Sequence, residues 1–332
     1  MLRLLGGISW RRYIAFGAVS MAFGLLLAFT ISAVLDPFGR LRLSEGDQIG
    51  FIEERPVMVS RALNPQFNSA IIGNSSSMPL MPASLSASTG QRFVSLSISG
   101  TAAPASIATM SFFLAQHPDT KMIVAALLPE TWCGADFQEH RPFPYWLYSS
   151  MSRYLIGLAG ETSFKLFKTI SSNRRSVKAD GYQPWIAIDG YHPFIGPFVH
   201  YDIDTVRAIL SGNARPEKSS NSTGRFPAIQ RLVDVVGRSS PAFFVLVWTP
   251  RYVSYTPRPG SDADKTDRDC KSTLVQSTSG LRHIRVLDWS SEDRSENHDV
   301  ANFYDAIHYR RAYAALIEDS IRDAIPTELK GP

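Results

Sequence analysis

An α/β domain on a parallel sheet is predicted by two observations. Short strand-like runs rich in apolar residues recur along the chain, and one of them, Met122–Leu128, is apolar without a break. Stretches with helical spacing of apolar residues lie between them. A strand buried on both faces has no polar face to alternate with, so unbroken apolar runs point to a parallel sheet covered by helices on both sides. The alternation of the two patterns makes a three-layer arrangement the expected architecture.

In order, the strands are expected at Ser69–Ile72, Arg92–Ile98, Met122–Leu128, Ala242–Trp248 and Ile284–Asp288. A short helix over Ala83–Gly90 ends at its glycine. A second helix over Ala102–Gln116 turns Met110, Phe113 and Leu114 to one face. The last helix, Arg310–Ala324, places Ala314, Leu316, Ile317 and Ile321 inward. Residues 134–241 are too long for a plain crossover and form an insertion, helical over Met151–Ile170. Its aromatic stretches, Pro142–Trp146 and Gly181–Trp185, offer flat surfaces for sugar rings, side chains for a membrane interface, or filling for the insertion's own core. Ser171–Lys178, with Arg174 and Arg175, is expected as a solvated loop, and Arg215–Gly224 as polar and mobile.

Ahead of this domain stands the strongest single physical signal. Tyr13 to Leu35 carries no charge, and a bilayer crossing needs roughly 20 apolar residues. Arg3, Arg11 and Arg12 precede it, which keeps residues 1–12 in the cytoplasm and exports the rest. The run exceeds the ~7–15 residues of a signal-peptide core, so a retained single-pass anchor is expected rather than a cleaved leader. Arg40, Arg42, Glu45 and Asp47 mark the exit into water. Residues 36–68 form a lead-in linker, irregular or helical from Asp47 to Asn68; within it Glu53-Glu54-Arg55-Pro56 either reaches back over the active face or ends a solvated linker at its proline.

Composition narrows the function. The 332 residues carry a net charge of +4 with no dense Lys/Arg stripe, so nucleic-acid binding is not inferred. Two cysteines, Cys133 and Cys270, can pair once in an oxidising compartment. The seven histidines show no metal-ligand spacing, and no glycine-rich phosphate loop is present; neither metal nor organic cofactor is expected.

Two stretches carry chemistry. Ser69–Ile72 runs into Gly73-Asn74-Ser75-Ser76-Ser77, a strand ending in a tight turn with serines that open a helix. A serine there has an exposed hydroxyl beside outward-pointing N–H groups, the setting an acyl-transfer nucleophile needs. Near the far end, Asp305-Ala306-Ile307-His308-Tyr309 places a carboxylate and an imidazole three residues apart, able to share one site. In an open α/β sheet both stretches fall at the carboxyl edge of the strands, where ligands bind. Ser75 is the expected nucleophile, with Ser76 and Ser77 as rivals. His308 is the expected base, with His298 as fallback, and Asp305 orients His308. Gly100, following the second strand, and the Ser75 N–H are the expected oxyanion donors.

Together the two motifs resemble the SGNH/GDSL hydrolase superfamily, in which a Gly-Asp-Ser turn near the start carries the nucleophile and an Asp-x-x-His near the end completes the triad. Asp36-Pro37-Phe38-Gly39 after the apolar segment, and Tyr309 after His308, extend the resemblance to membrane-anchored SGNH-like proteins of bacterial surface-polysaccharide O-acylation. The resemblance implies a flavodoxin-like domain over 69–326 and serine-dependent O-acetylation or deacetylation of a periplasmic polysaccharide. It also implies an acyl donor and a polysaccharide acceptor as partners, with a membrane-bound O-acyltransferase nearby, at the inner membrane. A non-catalytic glycan-binding or assembly subunit, and an anchored esterase or lipase, are the alternatives. One departure bears on activity: where the superfamily has Gly-x-Asn-Asp after the third strand, this chain has Leu128-Pro129-Glu130-Thr131. The oxyanion-binding asparagine is missing.

Overall fold

The computed structural model describes residues 10–35, 38–40, 54–134, 139, 142–158, 160, 186–191, 201–212, 215–219, 221, 223–239 and 241–329. Five parallel strands form one sheet: β1 (Ser69–Gly73), β2 (Phe93–Ser97), β3 (Met122–Leu127), β4 (Phe243–Trp248) and β5 (Ile284–Asp288), in the order β2-β1-β3-β4-β5. The chain leaves β1 for β2 on one side, then passes back over β1 to β3. The strand order therefore reverses between β1 and β3, and the crevice outside their carboxyl ends is the expected ligand position of an open α/β sheet.

Side-chain alternation divides the core in two. Ala70, Ile72, Val94, Leu96, Ile123, Ala125, Phe244 and Leu246 face one layer. It is built from α2 (Glu54–Ala62), α4 (Ala103–Gln116), α8 (Pro227–Arg238) and α9 (Asp262–Thr278). Ile71, Phe93, Val124, Phe243, Val245 and Val247 face the other, built from α3 (Pro82–Thr89), α7 (Ile203–Ser211) and α10 (Arg311–Ala324). The three layers match the expected class, and the limits of the five strands and of α3, α4 and α10 agree with the sequence to within one or two residues.

Several details differ. The last helix keeps Ala314, Ile317 and Ile321 buried, but Leu316 is 44% exposed. Residues 316 and 317 lie about 100° apart around a helix, so both cannot face the sheet. The insertion is shorter than expected at its far end: α8 is the crossover helix between β3 and β4, with Ile229, Leu232 and Val236 buried in the sheet layer. Helix α9 has no counterpart in the sequence reading; only Ala263, Cys270, Leu274 and Thr278 of it are buried. Among the described residues of the insertion, α6 (Met151–Leu158) begins where helix was expected; 159 and 161–170 lie outside the described residues, as do Arg174, Arg175 and Gly181–Trp185. Within Arg215–Gly224, expected as polar and mobile, one described side chain is anchored. Asn221 is 3% exposed and donates to the carbonyls of Cys133 (3.0 Å) and Arg225 (2.8 Å). The aromatic stretch at 142–148 fills a core: Phe143 and Tyr148 are buried, and Trp146 stacks on Tyr154 and meets Phe38 edge-on.

The lead-in also differs. α2 begins at Glu54 with Pro56 in its first turn, where a proline is tolerated because the early N–H groups have no helical partner. Arg55 through Val59 are buried, so this is neither linker nor solvated. Arg40 is not at an exit into water. It is 5% exposed, donates to the carbonyls of Leu147 (2.7 Å) and Ser149, and lies over the Phe112 ring. Burial pushes its pKa down, against a smaller upward effect of Tyr154. Asp36, Pro37, Arg42, Glu45 and Asp47 lie outside the described residues. Helix α1 (Trp10–Leu35) holds Trp10, Phe16, Val19 and Met21 exposed. Counted over the described residues alone, no helix is long and apolar enough to cross a membrane.

Cys133, just past β3, is bonded to Cys270 on α9 across a separation of 137 residues. A cross-link closing so long a loop removes much freedom from the unfolded chain. Replacing both cysteines by alanine is expected to cost about 2–5 kcal/mol. It should lower the thermal midpoint by several degrees and abolish the effect of added reductant on it; calorimetry with and without dithiothreitol checks this.

Candidate active site

Gly73 ends β1 for a reason of space rather than backbone angle. A Cβ built there lies 2.5 Å from Ser77 Oγ, 2.8 Å from Ser77 Cβ and 3.0 Å from Ala126 Cβ. The absence of a side chain lets the next turn fold back tightly. Asn74 caps that turn: its Oδ1 accepts from the Ser76 N–H at 3.0 Å and the Ser76 hydroxyl at 2.7 Å. The aspartate usual in the resembling family is thus replaced by a residue with the same acceptor oxygen. Ser75–Ser77 form one turn of 3-10 helix.

The three serines separate cleanly. Ser76 and Ser77 are fully buried. The Ser77 hydroxyl has one proton, which it gives to the Asn74 carbonyl at 2.6 Å; it accepts in turn from Ser97 at 2.7 Å, and Ser97 from Ser95 at 3.0 Å. That buried hydroxyl chain ties the turn to β2. Ser75 alone points elsewhere. Its Oγ lies 2.8 Å from His308 Nε2.

Asp305 and His308 arrive from the connection between β5 and α10. Phe303 and Tyr309 bridge as a short antiparallel pair and are fully buried. Tyr304 N–H bonds the His308 carbonyl at 2.8 Å, and Tyr252 N–H bonds the Ala306 carbonyl at 2.8 Å. Within this tight loop Asp305 Oδ1 accepts the N–H groups of Ile307 and His308, both at 2.9 Å. Its other oxygen, Oδ2, lies 2.7 Å from His308 Nδ1. A carboxylate only accepts, so Nδ1 carries the proton and Nε2 presents its lone pair to the Ser75 hydroxyl. Burial alone would push the Asp305 carboxyl up; the His308 bond and charge, with the two backbone bonds, outweigh it and hold the carboxyl below its usual range. The carboxylate stays ionised and oriented toward Nδ1.

The structure therefore brings together Ser75, His308 and Asp305 in one relay, at the edge where the strand order reverses. Gly100 stands on the same edge. Gly73 pairs with Ser97, the Ile98 N–H bonds the Gly73 carbonyl at 3.0 Å, and Gly100 follows with φ +64°, a left-handed conformation that favours glycine. His298 is not brought to the relay; its Nε2 lies 2.8 Å from the Glu292 carbonyl.

The sequence reading missed Arg251. It lies just past β4, 2% exposed, and pairs with Glu130 at 2.9 Å and Asp267 at 3.0 Å. Burial works against its charge, but the two carboxylates prevail and hold its pKa above the usual value. Glu130, which follows β3, is thereby ion-paired. Thr131 turns its hydroxyl to the Leu128 carbonyl at 3.0 Å. A cavity of about 180 Å³ lies here, walled by Pro129, Glu130, Lys218, Arg251, Tyr255 and Asp267 among others. Burial first, then the charge of Glu130, raise the Tyr255 phenol; Arg251 opposes them and Asp305 adds a smaller upward effect. No single motif announces Arg251; a lone arginine after a strand is silent until the fold places two carboxylates around it. Among the described residues, no group of three or more His, Cys, Asp or Glu side chains is placed to hold a metal ion.

Comparison with models of known protein families and with curated proteins returns no match.

Gly73→Ala tests the packing of the turn directly. The new methyl group has to displace Ser77 and with it the hydroxyl chain. Overpacking of this kind costs about 1–3 kcal/mol. The variant is expected to unfold at lower denaturant concentration, read by urea titration.

Proposed function

We propose that this chain is a serine-dependent acyl-transfer enzyme with an SGNH-like domain. The observation that carries the reading is the unbroken relay Asp305–His308–Ser75, with bonds of 2.7 and 2.8 Å. Ser75 Oγ attacks the acyl carbonyl carbon while His308 Nε2 takes its proton. The tetrahedral oxyanion is stabilised by the N–H groups of Ser75 and Gly100. Collapse returns the His308 proton to the leaving group and leaves an acyl-Ser75 ester. An acceptor hydroxyl then repeats the sequence in reverse, giving up its proton to His308, taking the acyl group and freeing Ser75.

The acceptor is proposed to be a hydroxyl of an extracytoplasmic polysaccharide and the acyl group acetyl, on the strength of the family resemblance. Export agrees with the disulfide, which persists in oxidising compartments. It agrees also with the charge-free run Tyr13–Leu35 behind Arg11 and Arg12, which we take as a single-pass anchor in the cytoplasmic membrane. A membrane-bound O-acyltransferase supplying the acyl donor is the proposed partner. The second reading, a non-catalytic glycan-holding subunit, draws on Glu130: it stands where the family has its oxyanion asparagine and is engaged by Arg251.

Acyl-enzyme trapping separates the two. The full chain in detergent is mixed with p-nitrophenyl acetate and its intact mass taken at short times. One acetyl group on the native protein is the expected result. Glycan binding without any adduct on Ser75 would overturn acyl transfer and leave the subunit reading.

A further inference from the structure

The loop that follows β2, Ser99-Gly100-Thr101-Ala102, is held from outside the sheet. The Ser99 N–H donates to the Glu54 carboxylate. Arg55 Nη2 donates to the Ser99 carbonyl at 3.1 Å. At the other end the Ala102 N–H donates to Glu139 Oε2 at 2.9 Å. Glu54 and Arg55 open α2, in the lead-in; Glu139 belongs to the insertion. Two parts of the chain that contribute nothing to the strands thus grip the loop on either side of Gly100, and Thr101 closes it inward through its hydroxyl to the Ile98 carbonyl at 2.7 Å.

We infer that Glu54, Arg55 and Glu139 are positioning residues that hold the Gly100 N–H in place for the oxyanion. The inference rests on the acyl-transfer reading above, which makes Gly100 a donor. The clamp engages the amides of Ser99 and Ala102, so the two amides between them, Gly100 and Thr101, are the ones it leaves to face a ligand. Hydrogen bonds from N–H groups to carboxylates are shorter and stronger than neutral ones, which suits a contact that must fix a glycine loop. Stability alone does not account for Glu139. Burial raises its pKa, and the amides of Ala102 and Ala105, Arg55 and Tyr145 recover only part of that cost. A carboxyl whose pKa rises on folding destabilises the folded chain when it is ionised at neutral pH. Groups kept at such a cost are expected where geometry matters for function.

None of the three residues touches the reacting atoms in this scheme. Their loss is therefore expected to weaken stabilisation of the transition state while leaving ground-state binding alone. The experiment compares the full-length native chain with Glu54→Ala, Glu139→Ala, Glu54→Gln and Glu139→Gln. Two readouts are taken: turnover of p-nitrophenyl acetate, and affinity for methylboronic acid, which adds to a catalytic serine as a tetrahedral anion. The alanine variants should lose ~10–100-fold in kcat, with KM within about twofold. Boronate affinity should fall by the same factor. The glutamine variants keep an acceptor oxygen and should regain most of both.

Native-like kcat and boronate affinity in both alanine variants would overturn the clamp while leaving acyl transfer standing. So would a loss of kcat that matches only a loss of folded protein, read by circular dichroism, with no separate fall in boronate affinity. A native chain that neither turns over the ester nor binds boronate overturns both inferences together.

Discussion

Ser75→Ala and His308→Ala are each expected to reduce acetyl transfer to one common floor, at least ~10³-fold below the native chain, and the double variant to go no lower. Residues that act as a single relay are not additive. The serine supplies the oxygen that forms the acyl ester; without His308 that oxygen keeps its proton and attacks poorly. Intact mass should show the acetyl adduct on the native chain alone. Stability should barely change in Ser75→Ala, because the buried hydrogen bonds of the turn belong to Asn74, Ser76 and Ser77. A Ser76→Ala variant that lost the adduct while Ser75→Ala kept it would show that the wrong hydroxyl has been assigned.

Asp305→Asn is expected to lower kcat by ~10²–10⁴-fold, with the adduct still forming slowly. An amide at this position no longer demands a proton on Nδ1, so His308 loses its preferred tautomer and its nearby negative charge. The change also has a signature in stability. The Asp305 carboxyl is held below the usual carboxylate range in the folded chain, by His308 and two backbone N–H groups against the opposing effect of burial. A lowered pKa means that the folded state favours the ionised form. The stabilisation is therefore complete above about pH 5 and is lost progressively as pH falls through the usual carboxylate range toward the lower folded value. Denaturant titrations should find the native chain more stable than Asp305→Asn at neutral pH, with the gap closing in acid. A gap that widened in acid would contradict the assignment of the charge.

Much of this layout was legible because parallel sheets write a simple code. Runs such as Met122–Leu127 and Phe243–Trp248 are apolar at every position because both faces are covered. Asp305 and His308 were legible as a pair because the carboxylate and imidazole are three residues apart, close enough for one tight loop to hold both. Helix α9 was hidden by its surface: four of its residues are buried, and the rest of Asp262–Thr278 reads as polar chain. Pro56 was misleading, since a proline marks the start of a helix as readily as its end. Arg40 and Arg251 were illegible for a shared reason. A buried guanidinium is settled by carbonyls and carboxylates that come from distant parts of the chain, and only folding brings those partners near.

The link between Cys133 and Cys270 also decides what a protease can do to this molecule. Every residue from Gly134 to Asp269 lies inside the covalent ring that it closes. A single cut anywhere in that ring opens the chain but releases nothing. The piece carrying Ser75 and the piece carrying His308 stay joined, and the sheet between them keeps its neighbours β3 and β4 side by side. In a gel run without reductant a chain clipped once in this way migrates as one species near its full mass, and it separates into two only when the link is reduced. A clip within the insertion therefore leaves the serine covalently joined to its histidine.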